Sequence, residues 1–254
     1  ASLQIDGGII GPDGKRAPLT VRATLKDWSR EDGSVDFKRM QVDATAKAES
    51  ASTGVVGALM GKGNELAEAL GPTATLDASI RSTGPGAAMA QASLTSKYLQ
   101  IAAPQVEIKD GFAIIVPAKP LRAEFIPSEP LRERLLEPIN PIFKDVRLAD
   151  EKKPIVFEAT ALRWPFDGDY AKCGGQFDLV VGDVLIERNP SNEVLNLLKV
   201  FQGQQGKPVE GRIDPLKVSV ARGQLKYSDF NVGIEKQGNS WVTRLIFSGA
   251  VDLT

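Results

Sequence analysis

The chain ends in a long alternation of apolar and polar side chains, and this alternation limits the possible fold more than any other feature. It runs from Ile213 to Thr254. Successive side chains of a β-strand point to opposite faces, so the segment is predicted to be an antiparallel meander with one apolar and one polar face. The apolar side includes Leu216, Val218, Val220, Leu245 and Phe247. Its connections are predicted at Arg222-Gly223, Ser228-Asp229 and Gln237-Gly238-Asn239.

The same two-residue period occurs earlier in the chain. It predicts a long strand from Val35 to Glu49, in which Met40 and Val42 begin an apolar, alanine-rich face. Leu76 and Ile80 lie on the apolar face of a second strand. The other predicted strands are Leu3–Ile5, Leu19–Leu25, Ala88–Ile101, Val106–Ile108, Phe112–Val116, Leu121–Ile126, Pro154–Trp164 and Phe177–Glu187, with Gly7-Gly8 breaking the chain after the first of these.

Short helices are predicted where the two-residue period stops. The sequence favours them near residues 54–70, 128–143 and 192–202, which gives a strand, helix, strand layout three times. The last helix is apolar over more than half of its circumference, so it is either a candidate lid over an apolar groove or a core helix packed on several sides. Its apolar residues are Val194, Leu197, Leu198 and Phe201.

These patterns predict a mainly β fold with short helices. We expect long, curved antiparallel sheet with amphipathic helices packed on its apolar face. The chain is interpreted as a β-rich region at 1–149 followed by a β meander at 150–254, and a single continuous domain remains the alternative.

The composition argues against several classes of function. The chain has no histidine and one cysteine, Cys173, so the usual general base, the commonest metal ligand and any intramolecular disulfide are missing. Basic and acidic residues number 31 and 32, without the clustered basic face that nucleic acid requires. Asp167 and Asp169 are weighed as a metal or acid–base pair, but turn residues are the favoured interpretation. We therefore predict a protein that is not an enzyme, has no catalytic or metal residues, needs no cofactor and binds no nucleic acid.

Three segments of the C-terminal third carry a resemblance to a known family. The segment "PLKVSVARGQLKYSD" at 215–229, the closing strand 245–253 and the strand followed by "NPSNEVLNLLKV" resemble the C-terminal region of AsmA-like proteins. These are bacterial envelope proteins thought to carry phospholipid between two membranes. The resemblance implies an elongated sheet with an apolar concave face, a periplasmic location in the cell envelope, and membrane association through an inner-membrane anchor outside this chain. Both ends of the sequence fit a segment of a longer protein.

The resemblance favours a non-enzymatic module that binds or conducts phospholipid, or another acyl-chain lipid, along an apolar β groove. Envelope membrane proteins are the other expected partners. The alternative is a structural or protein-interaction module whose apolar face is fully covered. The predicted groove residues are Met40, Val42, Leu76, Ile80, Leu216, Val218, Leu245 and Phe247.

Overall fold

A computed structural model provides the fold. It describes residues 1–11, 14–27, 29, 32, 39–59, 61, 64–127, 132–137, 141–150, 152–187, 208–237 and 240–253. The predicted helix at 192–202, with Val194, Leu197, Leu198 and Phe201, lies outside these residues.

The described residues form one large antiparallel sheet, and the predicted mainly β fold with short helices is confirmed. Two short α-helices, α1 (Thr53–Leu59) and α2 (Glu65–Leu70), follow the third strand. A π-helical turn (Arg132–Leu136) and two 3-10 turns (Pro141–Lys144 and Tyr170–Lys172) complete the helical segments. The strands are β1 (Ser2–Ile10), β2 (Arg16–Lys26), β3 (Gln41–Ser52), β4 (Thr73–Gly84), β5 (Ala87–Ser96), β6 (Leu99–Lys109), β7 (Phe112–Ile115), β8 (Leu121–Phe125), β9 (Val146–Leu148), β10 (Ile155–Pro165), β11 (Gly174–Val180), β12 (Gly182–Ile186), β13 (Val209–Ile213), β14 (Leu216–Ala221), β15 (Gln224–Gln237) and β16 (Ser240–Asp252).

The sheet follows the order of the chain. Strands β7 and β8 both lie between β6 and β10, and β13 and β14 both pair with the long β15. Strand β9 is likewise continued by β10, and β11 is continued by β12, because β9 pairs with β12 and β10 pairs with β11. Each such pair is one interrupted strand, so the fold is a simple meander in which every strand lies beside its predecessor. The ladder continues across residue 150, the boundary between the two predicted regions.

The longest insertions lie at one end of the sheet. Successive connections of a meander alternate between its two ends. With each interrupted strand counted once, the connections 53–72, 126–145 and 187–208 follow the third, seventh and ninth strands of the meander. They therefore lie at the same end of the sheet, which we call the insertion end. The first two contain helical segments, as predicted, and most of the third lies outside the described residues. The opposite end, the turn end, carries shorter turns such as Asp110-Gly111 and Arg222-Gly223, and the loop 166–173.

One face of the sheet is apolar across its whole width. The register places a continuous row of paired residues on this face, from β1 to β16. No member of this row is polar, and we call the side on which it lies the apolar face. The row consists of Leu3, Ala23, Ala44, Ile80, Ala90, Val106, Ile115, Leu162, Gly175, Val220, Leu225 and Val251.

Burial changes steeply along this row. Leu3 in β1 is 54% exposed, whereas Ile115 and Val220 are 6% and 4% exposed. The main core lies in the C-terminal half, where Leu136 and Phe143 of the second insertion join the sheet residues in one cluster. The N-terminal half has a much smaller buried cluster, formed by Ala17, Ala48 and Ala51 near the insertion end.

Several predicted boundaries are wrong. Gly7 and Gly8 continue β1, and the segment predicted as one strand, Ala88–Ile101, contains a turn at Lys97-Tyr98. Ser228-Asp229 is a bulge inside β15, where Asp229 has a φ of 56°, and it is not a connection between strands. The third strand runs on to Ser52 because a bulge after Ala48 extends its pairing with β4; it is described from Gln41, and residues 35–38 of the predicted strand lie outside the described residues.

Candidate functional site

The candidate site is the open part of the apolar face, over β1 to β5. Here the residues are small. A row of paired residues crosses four strands, and all but the first of them are alanine: Val21, Ala46, Ala78 and Ala92. Ala46 and Ala78 are half-buried and Ala92 is exposed. Alanine side chains bring an occupant close to the sheet, so this face has the shape of a shallow, apolar floor.

The larger apolar residues of the open region border this floor. Val42, Leu76 and Ile80, all predicted groove residues, are half-buried. Leu76 pairs with Ala48 and Ile80 pairs with Ala44, so the structure brings these two onto the same face as the alanines. Met40 is also half-buried, and it lies just before β3.

A hollow of about 800 Å³ lies across these strands. Ala23, Ala44, Ile80 and Ala90 contribute to its lining, but Arg22, Thr45 and Ser79, which also line it, pair with one another on the opposite, polar face. Polar-face residues flank each of these apolar residues along its strand, so the hollow opens toward the polar face and is not part of the alanine floor. The charged members of the lining are Arg22, Asp43, Arg81 and Lys119.

The other predicted groove residues are covered to a much greater degree. Leu216 and Val218 are each 1% exposed and belong to the main core cluster together with Phe143 of the second insertion. Leu245 and Phe247 pack against that cluster and are half-buried. Leu216 and Val218 therefore lie on the predicted apolar face, but they face protein atoms in this structure and are not part of an open surface.

The helices leave the alanine-rich floor largely uncovered. The first insertion begins at Thr53, whose hydroxyl donates a hydrogen bond to the carbonyl of Gly71, and this bond holds the two ends of the insertion together. Ala48 and Ala51 are buried next to this insertion, whereas Ala44 and Ala46, which are nearer the start of β3, are half-buried. Helix α2 contains no buried residue. The predicted packing of helices on the apolar face is thus confined, over β3, to the insertion end of that strand among the described residues.

The acidic pair Asp167 and Asp169 is part of a braced turn. Lys172 donates to Asp167 at 2.7 Å and lies 3.2 Å from Asp169, and Asp167 also accepts from the backbone N–H of Asp169. The hydrogen bond from Lys172, followed by that from the backbone, lowers the pKa of the Asp167 carboxyl. A carboxylate held ionised by an adjacent ammonium is a poor general acid. The arrangement suits a structural turn, as favoured from the sequence.

Cys173 follows this turn and is buried in the main core cluster at 3% exposure. Burial, followed by the negative charge of Asp169, raises the pKa of its thiol. A reactive cysteine requires the opposite, a lowered pKa and access to solvent. Cys173 is therefore positioned as a small core residue. Within the described ranges, no group of three or more His, Cys, Asp or Glu side chains is placed to hold a metal ion.

A second hollow, of about 520 Å³, lies among charged residues of the C-terminal half. Its arginines are already paired: Arg122 with Glu124 at 2.8 Å and Glu158 at 3.3 Å, and Arg212 with Asp183 at 3.5 Å. These side chains are well exposed, so solvent weakens each pair. Mutually paired, solvated charges offer little to a further ligand.

Sequence reasoning missed two exposed apolar regions. Leu3 and Ile5 in β1 are 54% and 45% exposed and extend the open apolar face to the edge of the sheet. The available signal was their alternation in the sequence, which predicts a strand but not its exposure. The second region is the aromatic loop that contains Trp164, Phe166 and Tyr170. No motif marks it, because aromatic residues in a strand and its turn usually pack inward.

Comparisons with protein-family models, with curated proteins and with solved structures each give no significant match. In the part of the chain that the structure describes, no helix is both long and apolar enough to cross a membrane.

Proposed function

We propose that this chain is a non-enzymatic module that carries lipid acyl chains on the open apolar face of its sheet, as a segment of a larger AsmA-like envelope protein. The observation that supports the proposal most strongly is the unbroken apolar row from Leu3 to Val251, which stays open to solvent over the first strands. An exposed apolar face of this extent is uncommon on a soluble surface and usually marks a binding region.

The physical chemistry of acyl chains suits such a face. Each methylene removed from water contributes roughly 0.8 kcal/mol, so about ten methylenes along the floor contribute about 8 kcal/mol without any directed polar contact. A carrier of this kind needs no catalytic group.

The second candidate function is a structural or protein-interaction module, and the C-terminal half favours it. There, Leu216, Val218 and Phe230 are at most 1% exposed beneath the second insertion. Under this alternative, another protein segment covers the N-terminal floor in the same way.

Native mass spectrometry of the purified chain tests the proposal. We expect phospholipid to co-purify in a fixed ratio, and an apo preparation to bind a fluorescent acyl-chain lipid with one saturable site. Protein that carries no lipid and takes up none would contradict lipid carriage and would leave the interaction module as the better account.

A further inference from the structure

Three exposed aromatic side chains come from a single loop. Trp164, Phe166 and Tyr170 are 38%, 61% and 37% exposed, and they occupy the end of β10 and the connection to β11. We call these three residues the aromatic tip. It lies at the turn end of the sheet, opposite the helical insertions.

The aromatic tip continues the apolar face. Trp164 belongs to the row of paired residues on the apolar face that lies nearest the turn end. The other members of this row are Ala113, Ile108 and Ala88. Tyr170 packs edge-on against Trp164, with ring centroids 5.5 Å apart. Phe112, in contrast, is covered by the Arg163 guanidinium, which lies 3.5 Å from its ring centroid. The exposed rings are therefore a local group at one end of the apolar face.

The loop holds these rings in the exposed position. The backbone N–H of Phe166 donates to the carbonyl of Gly111 at 2.9 Å, and the N–H of Cys173 donates to the carbonyl of Tyr170 at 2.9 Å. Lys172 ties Asp167 and Asp169 together, and buried Cys173 anchors the end of the loop. These contacts stabilise the loop backbone in the conformation that exposes the three rings, so the rings are available to a partner.

We propose that the aromatic tip docks into the interfacial region of a phospholipid bilayer. Trp and Tyr are enriched in that region because one part of the ring is apolar and another is polar. A protein partner fits less well. From the usual area of an aromatic side chain, the three exposed parts amount to roughly 300 Å², far less than the about 800 Å² that each partner contributes to a stable interface.

The charges of the loop identify the type of bilayer surface. Its two aspartates and one lysine are paired with each other, so no basic excess is available to attract anionic headgroups. We expect docking onto vesicles of phosphatidylcholine alone, with little dependence on salt. This docking goes beyond lipid carriage, and it places the bilayer next to the end of the apolar face.

Flotation of the whole chain with phosphatidylcholine vesicles tests this inference. We expect Phe166→Ser to lower the vesicle partition coefficient by roughly five-fold or more, since the most exposed ring of the tip no longer inserts. Ile246→Ser is the matched control, because Ile246 is 63% exposed, against 61% for Phe166, but lies far from the loop in β16. It should leave the partition coefficient unchanged. Thermal unfolding of both variants verifies that they are folded.

Brominated phosphatidylcholine provides a second measurement. Bromine near the headgroup end of the acyl chains should quench part of the tryptophan fluorescence, and Trp164→Phe should remove that quenched part. Equal flotation of Phe166→Ser and the parent, binding only to anionic vesicles, or self-association of the parent that Phe166→Ser abolishes would each overturn the inference. Uptake of a dispersed single-chain fluorescent lipid is scored separately, so failure of lipid carriage and failure of docking are distinguishable.

Discussion

The ring of Phe143 stacks on the ring of Phe230, with centroids 5.7 Å apart and an interplanar angle of 28°. Phe143 belongs to the 3-10 turn Pro141–Lys144 of the second insertion, and Phe230 follows the bulge in β15. Both are almost fully buried, at 2% and 0% exposure. This contact attaches the insertion to the sheet and closes the apolar face over the C-terminal half.

Phe230→Ala is expected to destabilise the fold strongly. Removing a fully buried ring that also contacts Phe247 and Tyr227 should cost about 3–5 kcal/mol of unfolding free energy. Denaturant unfolding measures this cost. Phe166→Ala, at a ring 61% exposed, is the control and should change the unfolding free energy by less than about 0.5 kcal/mol. Equal effects at the two positions would show that the Phe143–Phe230 stack is not part of the core.

Gly175→Ala is expected to be far more costly than the same change at the preceding glycine. Gly175 has a φ of 134°, and a Cβ there would overlap the backbone carbonyl of Ala161 at the β10 bulge. A Cβ at Gly174 would meet only Val220 O at 3.9 Å, an ordinary contact. We expect a loss of roughly 3 kcal/mol for Gly175→Ala and about 1 kcal/mol or less for Gly174→Ala, measured by denaturant unfolding. Similar losses for both variants would contradict the bulge geometry.

Much of this fold follows from the sequence because its strands have two different faces. Leu76, Ile80, Val218 and Phe247 lie on the predicted side of their strands, since a period of two determines which residues share a face. The turn at Lys97-Tyr98 was missed because it contains neither glycine nor proline. The Ser228-Asp229 bulge was mistaken for a connection because a local break in the alternation looks the same in both cases. In the structure, the partner of β15 changes from β14 to β13 on either side of that bulge.

The degree of burial along the apolar face was not predictable from the same pattern. Leu76 and Val218 have the same alternating surroundings in the sequence, yet Leu76 is half-buried and Val218 is 1% exposed. The difference arises because residues such as Leu136 and Phe143 cover one half of the sheet. Such cover depends on tertiary packing between distant segments, which local periodicity does not encode.

The Asp167–Lys172 pair is expected to make a pH-dependent contribution to stability. Its hydrogen bond lowers the folded-state pKa of Asp167 below the ordinary value of 3.8. The contribution is therefore present above that value and is lost as the pH falls through the folded-state pKa. Asp167→Asn should lower the melting temperature slightly at about pH 7, and the difference should be smaller at about pH 2. A difference of the same size at both pH values would show that the charge of Asp167 is not its cause.

Cys173 is expected to be unreactive in the folded protein. Its burial and raised thiol pKa predict that labelling by a disulfide reagent is slower than in denaturant by roughly a hundred-fold or more. The labelling rate in buffer and in denaturant measures the ratio. Fast labelling of the native protein would mean that Cys173 is not packed in the core as described.

The most direct measurement of lipid carriage compares two neighbouring positions of β3. Ala46 lies on the apolar face opposite Val21 and Ala78, whereas Thr45 lies on the other face opposite Arg22 and Ser79. Binding of a fluorescent acyl-chain lipid is measured for the parent, Ala46→Glu and Thr45→Glu, and circular dichroism verifies that each is folded. We predict that Ala46→Glu weakens binding by about ten-fold or more, because a charge on the floor displaces about two methylenes at roughly 0.8 kcal/mol each, while Thr45→Glu binds like the parent. Equal binding by all three proteins, or none by the parent, would contradict lipid carriage on this face.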